Sequence, residues 1–436
     1  MNNEFMKTDF VADAVVAHLE NVGYPTAAVA THLDRMPLID SLRQRISETD
    51  IPRLIKVIEE ESGETAGLAV SLLRRYVTDQ RVKDCLTARW DTADVYLKSR
   101  MMWRLMDDPE LPESWHRRIY EFVLAEWKVF AEFTQTFYGQ GKEGVSNLLA
   151  RLGSPDFPNT KKWVYLCCVP VVLTNHDAAR GVLEFGLTLN DHFAKEVAAE
   201  LLQKLAAGAF DHSLAPSGSG DDGGDDIFLD FAAKAIISYL RSGHHPKDED
   251  SDKLNQVPLI DALRSRITAD DLTWITEVVA AESGSLAAFY LSLLKNFDTR
   301  SDIRDMLRHR WGTASPYLQA HLMWRILDDP QLPDEWHRTI FDFVIAEWET
   351  FSGVVRMFLG GPKSIIPNVL RRLGDASYPE SKKWINFCRL PEIAEDQEAA
   401  KALVSLGRLM PDPFCREVAE VLLQRFFAAH QRGARA

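Results

Sequence analysis

The chain has 436 residues, 46% hydrophobic and 26% charged, which suffices to bury one large core or two moderate ones and is unlike a disordered polymer. Asp and Glu outnumber Lys and Arg by 64 to 50, and the resulting charge of −14 argues against a broad cationic surface for coating nucleic acid. The uncharged stretch Val164 to Asn175 is broken by Pro170 and falls short of the ~20 apolar residues of a membrane helix.

Met1 to Phe10 carries acids and no apolar run, so no secretory signal is expected. Cys85, Cys167, Cys168, Cys388 and Cys415 are odd in number and lack a C-x-x-C pair. They predict buried thiols in a reduced, cytoplasmic setting and no disulfide framework.

In chain order, Thr49-Asp50 caps a helix carrying Ile51, Leu54, Ile55 and Ile58, and Glu61-Ser62-Gly63 closes it. Thr92 to Asp108 reads as a helix with Leu97, Met101 and Leu105 along one stripe. Pro109 and Pro112 punctuate the next turn, and Pro112 opens a helix expected to run to about Tyr138. Its apolar face holds Trp115, Ile119, Phe122, Val123 and Phe130. Residues 207–226 are rich in Gly, Ser, Pro and Asp, contain no Lys or Arg, and read as a flexible acidic linker. Asp221, Asp222, Asp225 and Asp226 lack the spacing of a calcium loop. Beyond the linker, Gly243 to Gln256 reads as an exposed loop, and its His244-His245 pair lacks the spacing of a helical metal site. Further on, Arg371 to Gly374 closes a helix and Pro379-Glu380-Ser381 opens the next.

The organising feature is an internal repeat at a fixed offset of 221 residues, ungapped from Phe10/Phe231 to Leu202/Leu423. Pro37-Leu38-Ile39-Asp40 returns as Pro258-Leu259-Ile260-Asp261, and Met102-Trp103-Arg104 as Met323-Trp324-Arg325. Lys161-Lys162-Trp163 returns as Lys382-Lys383-Trp384. The expected organisation is therefore lobe 1 over 1–206, the linker over 207–226 and lobe 2 over 227–436. No run of strict alternation suggests a sheet, so the fold class expected is all-α.

Helix pairs in units of about 40 residues are the pattern of an α-solenoid. Asp191-His192-Phe193-Ala194-Lys195-Glu196-Val197-Ala198 and Asp412-Pro413-Phe414-Cys415-Arg416-Glu417-Val418-Ala419 resemble the second helix of a HEAT-type repeat. The resemblance implies a HEAT/armadillo-like α-solenoid of two homologous lobes. Such proteins mostly serve as scaffolds or partner-binding surfaces, and a minority act on DNA bases.

Among candidate residues, W-R-x-x-D-D-P-x-L-P-x-x-W-H-R is the most distinctive pattern, present from Trp103 to Arg117 and from Trp324 to Arg338. Trp103, Asp107, Asp108, Trp115, His116 and Arg117, with Trp324, Asp328, Asp329, Trp336, His337 and Arg338, are suited to a ligand pocket or an aromatic anchor. The same residues also read as a helix end followed by a buried stripe. Glu126 and Glu347 fall on the apolar face of a continuous helix, where a carboxylate needs a partner. This predicts Arg104–Glu126 and Arg325–Glu347 ion pairs, with His116 and His337 as second choices, or else a general acid/base carboxylate.

Asp107-Asp108 does not continue as D-D-x-x-D, and Ala194 stands where a second magnesium motif needs Ser or Thr. Lys161-Lys162-Trp163 suggests either a small phosphate-binding patch or an ordinary helix face. No cofactor, metal or catalytic residue is expected, since no phosphate loop, zinc spacing or nucleophile motif occurs. The leading expectation is a cytoplasmic, non-enzymatic scaffold binding a protein or peptide partner, without a membrane or general nucleic-acid role. The alternatives are a helical enzyme or small-ligand binder using the duplicated turn or the Glu126/Glu347 site, and an acidic inhibitor of a cationic partner.

Overall fold

Side-chain caps set where the helices begin. Asp94 accepts a hydrogen bond from the Leu97 amide and starts Val95–Asp107, while Ser315 accepts from Leu318 and starts Pro316–Leu327. Ser47 with Asp50, and Thr268 with Asp271, form reciprocal capping boxes just before Ile51–Glu60 and Leu272–Ala281. At the far ends of those two helices, arginines cap carbonyls: Arg89 binds the Ile58 and Glu61 oxygens, and Arg310 those of Val279 and Glu282. These helix ends therefore repeat with the sequence offset, although Asp79 caps Gln80–Arg89 and its counterpart Arg300 makes no such cap.

The computed structural model describes residues 4–34, 38–108, 110–138, 142–154, 161–173, 175–208, 210, 222–329, 331–359, 362–375, 382–390 and 397–433. Among them all regular structure is helical and no strand occurs, as expected. No helix among the described residues is long and apolar enough to cross a membrane. Pro109, Pro330, Pro379-Glu380-Ser381 and most of the 207–226 linker lie outside the described residues.

The chain divides into an N-terminal unit, Ala12–Ala232, and a C-terminal unit, Met1–Val11 with Ala233–Ala436. This differs from the expected boundaries. The division falls inside the helix Asp222–Arg241, which begins within the expected linker, and the first eleven residues count with the second copy. Aromatic contacts at the boundary accord with the division. Phe10 meets Tyr239 at 5.3 Å within the C-terminal unit, whereas Phe231, its repeat counterpart, meets His18 at 5.2 Å within the N-terminal unit.

Each unit is centred on a fully buried tryptophan. Trp163 packs edge-on against Tyr120 and Phe193, and Trp384 against Phe341 and Phe414. The indole N–H of Trp163 donates to His116 Nδ1 at 2.9 Å, and that of Trp384 to His337 Nδ1 at 3.1 Å. All five cysteines are buried and none is in a disulfide, and burial pushes the Cys85 thiol up to about 11 and Cys168 to about 12.

The long helix expected from Pro112 to Tyr138 is two helices, Glu113–Ala125 and Trp127–Tyr138. Glu126 leaves helical geometry at the break, with φ −111 and ψ 40, and Glu347 does the same with φ −108 and ψ 42. The wheel that placed these glutamates on an apolar face assumed an unbroken helix, and both are half-buried at a corner instead. Trp163→Ala empties a fully buried site and removes the donor to His116. It is expected to lower unfolding free energy by about 3–5 kcal/mol, far more than Arg117→Ala at the exposed Glu196 pair, as urea unfolding would measure.

Candidate functional site

The duplicated turn is built as a buttress. His116 and His337 are buried acceptors for the central tryptophans, and burial depresses both imidazoles below their ordinary range. Asp108 is buried against Lys83 Nζ at 3.0 Å and accepts from the Glu110 amide, so it organises the turn. Asp329 is held likewise by Arg304 at 3.2 Å and Arg308 at 2.5 Å. Arg117 forks onto Glu196 at 3.0 and 3.1 Å while lying 5.2 Å from the Phe193 ring. Arg338 repeats this with Glu417 and Phe414. Trp115 and Trp336 stack edge-on with Trp90 and Trp311.

Neither expected interhelical ion pair is present. Arg104 instead binds Asp107 three residues along its own helix at 2.7 Å. Arg325 binds Asp298 at 3.1 Å and Asp328 at 3.4 Å. A carboxylate one helical turn away is in reach, whereas the corner at Glu126 or Glu347 moves that group off the expected face. Lys161-Lys162 is no surface patch either. Both lysines are buried, and Lys161 Nζ donates to the Met106 and Asp108 carbonyls at 2.5 and 2.6 Å, closing the end of Val95–Asp107. In the His244-His245 pair, His244 stacks on Tyr239, and His245 Nδ1 lies 2.6 Å from the Tyr290 hydroxyl. Among the described residues, no three His, Cys, Asp or Glu side chains converge as a metal site.

Part of the turn does border open space. In the N-terminal unit, Arg104, Asp108 and Trp115 line a cavity of about 280 Å³ with Lys83 and Gln80. In the C-terminal unit, Trp324, Arg325 and Asp328 line a groove of about 720 Å³. Four more cationic residues, Arg264, Lys295, Arg372 and Arg389, share its walls with Ile260, Leu291, Leu327, Val355 and Ile385. The Arg389 guanidinium lies 4.3 Å from the Trp324 ring centre. Asp328 is the one carboxylate among the lining residues of this groove. Asp329, Trp336, His337 and Arg338 are not among them, so the structure splits the duplicated pattern into a groove-lining half and a buttress half.

No protein-family model and no curated protein sequence matches this chain.

Sequence reasoning missed Asn255, Arg264, Lys295, His321, Arg372 and Arg389. A signal was present in the repeat: Arg43/Arg264, Arg74/Lys295 and Arg151/Arg372 keep a cation in both copies, while Cys168/Arg389 gains one. These positions are far apart in sequence, and only helix packing brings them to one groove. Beneath it, burial pushes the Asp298 carboxyl up to about 7, opposed by Arg325. Its raised folded value means that the stabilising contribution is complete below the ordinary 3.8 and is lost as pH rises toward about 7. Unfolding free energy is therefore expected to fall across that window, and Asp298→Asn to flatten the slope in urea titrations at a series of pH values.

Proposed function

We propose that this protein is a non-enzymatic binding protein of the HEAT-like α-solenoid kind, with two homologous lobes and an acidic segment of a protein partner docked on the C-terminal unit. The observation that carries this reading is the groove itself. Five cationic side chains and one carboxylate line it in a chain whose net charge is −14, so its charge is opposite to that of the molecule as a whole. Arginine beside tryptophan, with aliphatic walls, is the composition of an interface hot spot. The helical pairing and the 221-residue repeat support the solenoid reading. Five buried cysteines outside any disulfide support a cytoplasmic setting.

Selection of a peptide display library on the full-length protein tests this. The expected result is enrichment of acidic sequences whose affinity falls at least about tenfold on Arg264→Glu. Enrichment of no sequence, or of sequences indifferent to Arg264→Glu, would overturn it.

A further inference from the structure

The two units treat one buried carboxylate differently. In the C-terminal unit Asp329 carries two guanidinium groups at once, Arg304 at 3.2 Å and Arg308 at 2.5 Å. Arg308 also faces Asp305, one turn back on its own helix Ser301–Trp311, at 3.8 Å. At the 221-residue offset Asp329 is Asp108, Asp305 is Asp84, Arg304 is Lys83 and Arg308 is Thr87. The N-terminal unit thus keeps both carboxylates and one cation, and it loses the guanidinium that spans the two acids.

Threonine is too short to stand in for that guanidinium. The Thr87 hydroxyl donates back to the Lys83 carbonyl of its own helix at 2.8 Å. Thr87, Lys83, Asp84 and Asp108 all line the cavity of about 280 Å³, close to the ~300 Å³ at which small-ligand pockets begin. The Asp108 side chain retains 8% of its surface, and Asp84 and Glu110 of the same lining are exposed, so a ligand can reach the carboxylates.

The charge of the lining points the same way. Asp84, Asp108 and Glu110 face Lys83 and Arg104, three carboxylates against two cations. The counterparts in the C-terminal unit balance: Asp298 stands for Val77 and Gln331 for Glu110, giving three acids against Arg304, Arg308 and Arg325. Asp298 answers Arg325 at 3.1 Å, and Asp107 answers Arg104 at 2.7 Å, so that arginine is satisfied in both copies. Asp108 accepts from Lys83 and from the Glu110 amide. A carboxylate has about four acceptor sites, and Asp329 shows that this one accommodates two cations.

We propose that the cavity of the N-terminal unit binds an arginine side chain of a partner polypeptide, its guanidinium reaching Asp108 and Asp84 as Arg308 reaches Asp329 and Asp305. A planar fork of N–H donors suits two carboxylates on different elements, which the point charge of a lysine does not. The apolar stem of the arginine packs on Leu111, Pro112 and Trp115. Both cations of the lining already face carboxylates, so neither is set for the α-carboxylate of free arginine. This site belongs to the other unit from the acidic-peptide groove, and neither reading rests on the other.

Calorimetric titration of the full-length protein with Nα-acetyl-arginine methylamide tests the site. Saturable binding is expected, and the citrulline analogue, alike in shape but uncharged, should bind at least about tenfold more weakly. Thr87→Arg, which supplies the guanidinium of the second copy, should also weaken binding at least about tenfold. Gln424→Arg adds the same charge at an exposed position outside the cavity and should leave affinity nearly unchanged. If Thr87→Arg does not fold by circular dichroism, Asp84→Asn replaces it, with the same change in net charge and the same expectation. Absence of saturable binding to the wild type, or equal binding of the citrulline analogue, would overturn the proposal. Equal effects of the cavity variant and Gln424→Arg would overturn the placement. Free arginine binding at least about tenfold more tightly than the blocked form would overturn a polypeptide as the source.

Discussion

Guanidinium groups brought to one groove wall repel each other and lose water, so the fold must supply an anion or leave the charge to whatever enters. In the N-terminal unit the cost is visible at Arg104. Burial, with Arg43 and Arg74 nearby, lowers its pKa to about 10 against the pull of Asp107. Asp34 and Asp107 answer that charge from within the chain. In the C-terminal unit the same arginine positions persist, the central carboxylate is an amide, and the surrounding acids sit at the rim or beneath. There Asp261 answers Arg264, and Asp298 and Asp328 answer Arg325, so the two copies meet one electrostatic problem with different carboxylates.

The duplicated turn is braced from within each unit. Lys161 closes the end of Val95–Asp107, Lys83 pins Asp108, and the Trp163–His116 bond ties that turn to the centre of its unit. A buried ammonium on two carbonyls is costly to desolvate, but it satisfies oxygens that the helix end leaves without partners. The C-terminal unit repeats the Trp384–His337 bond and substitutes Arg304 and Arg308 for the single Lys83 at the buried aspartate. The residues that looked most like a binding motif in sequence therefore mostly fix the backbone. The groove then takes only Trp324, Arg325 and Asp328 from them.

The pattern of conservation within this one chain separates the two roles. Tryptophan, histidine and the forked arginine of the buttress are identical in the two copies, which fits packing that tolerates little change. Positions 34/255, 100/321 and 168/389 differ in charge, and all three map to the groove. Charge also differs far from the groove, at Asp13/Lys234, Lys56/Glu277, Arg118/Thr339 and Lys128/Glu349, so exposed charges vary widely between the copies while the buttress does not.

The sequence by itself determined the helical class, the repeat and many helix ends, because caps, prolines and period are local properties of a few consecutive residues. The helix ends at Asp108 and Gly374 were legible in this way. Only tertiary structure decided where the charges went. The corner at Glu126 withdrew that carboxylate from Arg104, and burial turned Lys161 from a surface cation into a helix cap. Packing also assembled Asn255, Arg264, His321 and Arg389 into one groove from segments spread over more than a hundred residues. A side chain's partner depends on distances across helices, and neither period nor composition encodes those distances.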